Sequence, residues 1–204
     1  MRRVSLAACL ALLVAVPVVA DHHEPQSVYS ATLAGNFEFV SGYLMQLAEA
    51  MPEEVYAWRP AEGVRSTSET FMHIVSANMM MPVFFGMPPA EGFEVPENPF
   101  ALARELEANV TAKADVMAKL EASIAYAQQA IASFPEAMLD EEVTLFGPPM
   151  PKRAALLILL SHSHEHLGQL IAYGRSNGVV PPWSQPMPEA PPEAGGEGEG
   201  ESSF

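Results

Sequence analysis

Leu156-Leu157-Ile158-Leu159-Leu160-Ser161-His162-Ser163-His164-Glu165-His166-Leu167-Gly168-Gln169-Leu170-Ile171-Ala172-Tyr173 carries a message about shape and another about chemistry. Leu156, Leu159, His162, Ser163, His166, Gln169, Leu170 and Tyr173 recur at steps of three and four, the period of one helix face. The spacing predicts a helix over 152–177, stopped by Gly178. Three of the chain's six histidines fall within five residues. His162 and His166 stand one turn apart on the apolar stripe, where two imidazoles can share one divalent ion. His164 points about 200 degrees around the helix from His162 and is expected in solvent, as is Glu165.

Three more helical segments precede this one. Leu33, Phe37, Val40, Leu44 and Leu47 mark the first, over 27–51, ended by Pro52. The second opens at Ser66-Thr67-Ser68-Glu69, hydroxyl caps with acidic support, and runs through Phe71, Ile74, Val75 and Met79 until Pro82 stops or kinks it. A Pro- and Gly-rich loop follows. The third, over 101–133, reads as one long amphipathic helix with a stripe of Leu102, Leu106, Val110, Val116, Leu120, Ile124 and Ala127, closed by Phe134-Pro135. A connector holding Val143-Thr144-Leu145-Phe146-Gly147 suggests an extended stretch but no convincing strand pair. Four such helices with long connectors predict an all-α four-helix bundle.

The chain's two ends read differently from its body. Residues 1–20 open with Met1-Arg2-Arg3, continue with an apolar run and finish at Val18-Val19-Ala20, the pattern of a secretory signal peptide. The expected mature domain is therefore 21–184, exported to the periplasm or beyond. Residues 185–204, dominated by Pro, Gly, Glu, Ala and Ser, are expected to form a disordered acidic tail. The single cysteine, Cys9, lies in the leader, so the mature chain offers no disulfide, thiolate nucleophile or thiolate ligand. Any metal must be held by nitrogen and oxygen.

The net charge of −15 argues against nucleic acid as a partner, since that requires a basic footprint. No membrane insertion is expected after signal removal, and pairing into a homodimer stays open. A mature terminus Asp21-His22-His23 would offer a square-planar nitrogen set to Cu(II) or Ni(II). Met72, Met79, Met80, Met81 and Met87 are expected to fill core gaps rather than bind copper. Trp58 and Trp183, each beside proline, are expected to cover the bundle ends.

The only other histidine in the body of the chain is His73, set between Phe71, Ile74 and Val75. It supplies a third imidazole if the second helix lies against the fourth. On spacing alone, a metal site and a set of hydrogen-bonded core histidines stay equally open. Glu69 and Gln169 are candidates to orient a histidine through its second ring nitrogen, and Tyr173 to line a pocket mouth; packing roles are the alternatives.

Several stretches in order resemble the DinB-like family of four-helix metalloproteins, which includes thiol-dependent S-transferases. They are Leu47-Ala48-Glu49-Ala50-Met51-Pro52-Glu53-Glu54, Tyr56-Ala57-Trp58-Arg59-Pro60, Val64-Arg65-Ser66, Glu69-Thr70-Phe71-Met72-His73-Ile74, the run from His162 to Leu170, and Tyr173-Gly174-Arg175. The sequence departs at Leu167, where many members carry Arg. The resemblance implies an up-down-down-up bundle with a divalent metal near one end, held by His73, His162 and His166. Imidazole ligands suit zinc or nickel. Three ligands with open positions suit a metal-dependent transferase or hydrolase acting on a small molecule, or a non-catalytic extracytoplasmic carrier of metal or small ligand. Export weighs against thiol transfer, because reduced thiol pools are cytoplasmic.

Overall fold

The computed structural model describes residues 27–186. The expected signal peptide, the Asp21-His22-His23 terminus and residues 187–204 of the expected tail lie outside them. The helices are α1 (Val28–Ala50), α2 (Thr67–Phe84), α3 (Pro99–Asn109), α4 (Lys113–Ala132) and α5 (Lys152–Ser176). Among the described residues no helix is long and apolar enough to cross a membrane.

Their directions follow from the contacts at their ends. Tyr29 Oη at the start of α1 donates to the Arg153 carbonyl at the start of α5 (2.6 Å). At the other end, a Cβ on Gly174 would stand 3.1 Å from Met51 Cε, so α1 and α5 run parallel. Lys113 Nζ, at the start of α4, donates to the Glu49 and Met51 carbonyls at the end of α1 (2.6 and 2.9 Å). Near the end of α4, Gln128 Nε2 donates to the Ala34 carbonyl (3.1 Å), so α4 is antiparallel to α1. Tyr173 Oη, late in α5, donates to the Arg65 carbonyl just before α2 (3.2 Å), and Asn78 Nδ2 donates to Ser123 Oγ of α4 (3.2 Å). Helix α2 therefore runs with α4. The bundle is all-α and up-down-down-up.

Phe37, Val40, Leu44 and Leu47 of α1 meet Phe71, Met72 and Ile74 of α2, Val116 and Leu120 of α4, and Leu156, Leu159 and Leu170 of α5, all 2% exposed or less. Each such side chain contributes about 1.5–3 kcal/mol on burial. Met72, Met80 and Met81 are buried among them, as the core reading of the methionines expects. Helix α2 packs against α3, α4 and α5, and its start is fixed by a complete capping box: Ser66 Oγ accepts from Glu69 N, and Glu69 Oε2 accepts from Ser66 N at 2.7 Å. It runs two residues past Pro82, whose missing N–H removes the helical donor of the Asn78 carbonyl, and ends before Gly86 (φ +95°). Gly178 (φ +78°) ends α5, where Val179 N donates to the Gly174 carbonyl (2.9 Å).

Two expectations are corrected. The single helix expected over 101–133 is two helices, because the chain reverses at Val110-Thr111-Ala112. Val110 (φ −113°, ψ 93°) and Ala112 (φ −71°, ψ 135°) are extended. Consecutive β-branched residues weaken the helix there, and the expected stripe skips from Val110 to Val116, six residues that no single face can hold. Helix α3 thus runs back along α2 before α4 descends. The 139–151 connector also holds a strand pair, β1 (Glu142–Val143) against β2 (Met150–Pro151), antiparallel and two residues long.

Candidate metal centre

Helix α5 places His162 and His166 toward the bundle interior and leaves His164 and Glu165 exposed. Helix α2 sets His73 against them. The three ring centroids are 5.0 Å (His73–His162), 4.9 Å (His73–His166) and 4.5 Å (His162–His166) apart. One ring nitrogen from each lies within 4.8 Å of the other two, an arrangement that can hold a metal ion.

The protonation chemistry fits a cation. Burial, together with the neighbouring His166, His73 and Arg65 charges, pushes the His162 pKa down to about 3. Burial, Arg65 and His166 push that of His73 down to about 4. Both rings are neutral at neutral pH and keep a lone pair for a Lewis acid. Nδ1 of His73 and Nδ1 of His162 are buried without a hydrogen-bond partner, a deficit that a ligated ion or a second polar group offsets.

The third ring is held differently. Gln169 Oε1 lies 2.8 Å from His166 Nδ1; Gln169 Nε2 donates to Tyr173 Oη (2.6 Å), and Tyr173 Oη donates to the Arg65 carbonyl. The amide assignment that satisfies Tyr173 makes Gln169 Oε1 the acceptor, so His166 carries its proton on Nδ1 and presents Nε2 as a lone pair. Trp58 packs edge-on against Tyr173 with centroids 5.2 Å apart. Trp183 stacks on Tyr43 at 4.3 Å.

Glu69 lies one turn before His73, but its carboxylate accepts from Ser66 N and from Arg59 Nη2 (2.8 Å), which places it at the helix cap rather than on an imidazole. Burial raises its pKa, but these donors outweigh it and hold the group below its ordinary value. The carboxylate beside His73 is instead Glu107 of α3. Its Oε1 accepts from Arg65 Nε at 2.9 Å and stands 3.2 Å from His73 Nδ1, outside hydrogen-bonding alignment. Sequence reading missed Glu107, since a glutamate in an Ala- and Glu-rich helix looks like solvated surface; its one signal is the break in the stripe at Val110.

Two recesses flank the cluster. A polar groove of about 570 Å³ is lined by Arg59, Gly63, Arg65, Glu69, Glu107 and Gln169. A narrower cavity of about 310 Å³ has His73 and His162 in its wall.

Residues 36–170 match the family model of the DinB superfamily. The chain is 29% identical over 136 residues to the uncharacterized protein YjoA of Bacillus subtilis strain 168, covering 65% of this chain and 80% of that protein. The crystal structure of a DinB-like protein from Bacillus cereus ATCC 10987 superposes with a TM-score of 0.60 at 18% identity, covering 74% of this chain and 95% of that one. The crystal structure of Bacillus subtilis YjoA, also titled DinB-like, gives a TM-score of 0.56 at 23% identity, covering 73% and 93%. With the family model spanning most of the described bundle and all three histidines, the chain belongs to the DinB superfamily.

Proposed function

We propose that this protein is an extracytoplasmic metalloprotein that binds one divalent ion, zinc or nickel, through His73, His162 and His166 and uses it in a transferase or hydrolase reaction on a small molecule. The observation that carries the reading is the convergence of three imidazoles in which two Nδ1 atoms are buried without hydrogen-bond partners. A divalent ion held there would act as a Lewis acid, polarising a substrate or lowering the pKa of a coordinated water or thiol. The chain's own residues do the rest. Gln169 and Tyr173 fix the His166 tautomer, burial keeps His73 and His162 deprotonated, and Arg65 and Glu107 form a charged wall beside the histidine cluster. Three nitrogen ligands would leave coordination positions for substrate. The basic and apolar leader supports export.

One observation favours a second reading, a non-catalytic carrier. Glu107, the carboxylate nearest His73, is paired with Arg65 and so is poorly placed to accept a proton from substrate. The test begins with metal analysis of tag-free protein purified without chelators. One zinc or nickel per chain is expected, and chelation should lower the melting temperature, because a ligand that binds only the folded state raises it. A melting curve indifferent to chelator and metal overturns the metal centre. Ester, amide and thiol-transfer substrate panels separate catalyst from carrier, and fractionation of cells making the full chain tests export.

A further inference from the structure

His73 and His162 form the inner wall of the 310 Å³ cavity, and the rest of its lining is almost wholly hydrocarbon. Met80 and Met81 of α2, Ala103 of α3 and Ile158 of α5 build its sides. Phe84 from the end of α2, Phe100 from the start of α3 and Phe146 from the loop between β1 and β2 stand at its rim, 38%, 60% and 67% exposed. Single exposed apolar side chains are ordinary on protein surfaces. Three phenyl rings from three separate segments, converging on one recess whose wall holds two candidate metal ligands, form a patch with a use. The groove on the other flank is the chemical opposite, lined by two arginines, two glutamates and a glutamine.

We infer that the small molecule brought to the histidine cluster carries an apolar group, aromatic or aliphatic, which fills this cavity while its polar end faces the imidazoles. This deepens the function proposed above and rests on it. Burying the chain against Met80, Met81 and the three phenylalanines supplies affinity, and the histidine wall sets which end of the molecule meets the ion.

The test is a calorimetric titration of the zinc-loaded full chain with straight-chain hydroxamates, from acetohydroxamate to octanohydroxamate. The head group ligates metal and the tail grows one methylene at a time. Affinity should rise about fourfold per methylene until the cavity is full. Ala103→Phe, which fills the cavity, should keep the metal content and acetohydroxamate affinity and lose the chain-length gradient. Phe146→Ser, at an exposed position that does not threaten folding, should reduce the gradient. A flat series in metal-loaded wild type overturns the inference and leaves the proposed function standing, as does a gradient unchanged in both variants. If the protein binds no metal, the proposed function fails. Straight-chain alcohols are then titrated into the metal-free protein, where a gradient sensitive to Phe146→Ser sustains the apolar assignment and its absence overturns it.

Discussion

On the α5 flank, His166 is fixed by a relay through Gln169 and Tyr173 to the Arg65 carbonyl, with all three side chains on one helix. On the α2–α3 flank, His73 meets Glu107 only because the chain doubles back at Val110. The first arrangement is local, its residues three and four apart and its hydrogen bonds well aligned. The second depends on the packing of separate helices, and its contact is close but misaligned. A site can thus have one side written into helical periodicity and another that exists only once the tertiary fold is complete.

The strongest way to break the comparison is to remove a ligand from each flank. His162→Ala and His73→Ala should each reduce bound metal to background and abolish the melting response to added zinc. Full retention in either variant would falsify the three-histidine centre and leave the other flank to hold an ion alone.

Next in size is the acid sensitivity of the metal-free protein. The folded-state pKa values of His73 and His162, about 4 and about 3, lie below the ordinary histidine value of about 6.5. Between those limits the unfolded state binds more protons, so stability falls as the pH drops from about 6.5 toward 4 and then 3. Each histidine contributes a slope of at most about 1.4 kcal/mol per pH unit. Denaturant melts across this window should show His162→Ala with the shallower slope. An identical slope in the two proteins would assign the acid sensitivity to other groups.

A gentler probe compares the orienting residues. Gln169→Ala should weaken metal binding about 10- to 100-fold, the usual cost of losing a ligand's hydrogen-bond partner. Glu107→Ala, removing a misaligned contact, should cost no more than about tenfold. Competition with a chelating dye reads both, and the reverse ranking would make α3 the principal orienting element. Smallest is the helix start: Ser66→Ala should destabilise the fold by about 1 kcal/mol through loss of the α2 cap, with metal stoichiometry intact.

What could be read from sequence follows the same division. The boundaries of α1 and α5 were visible because their apolar stripes are regular and end at Pro52 and Gly178. The paired histidines, and Gln169 one turn on, share a face that arithmetic alone assigns. The reversal at Val110 was hidden by Ala, Glu and Lys on both sides of it, residues that favour helix throughout. Glu69 was legible twice over, as a cap and as a neighbour of His73. Only the Ser66 and Arg59 contacts show which of the two it serves. Nothing in the order of residues announced that Phe84, Phe100 and Phe146 share a rim, because they come from three segments more than ten residues apart.

Among its described side chains, helix α3 has none that is fully buried, yet it supplies Ala103 and Phe100 to the cavity and Glu107 to the neighbourhood of His73. Replacements at its solvent-exposed positions usually alter stability by under about 0.5 kcal/mol. Under the proposed function, ligand preference could therefore drift along α3 while the imidazoles, rooted in α2 and α5, stay put. If the proposed function holds, part of the guest-facing wall, Ala103 and Phe100, sits on a different helix from the imidazoles, and new specificities could arise there without rebuilding the histidine cluster.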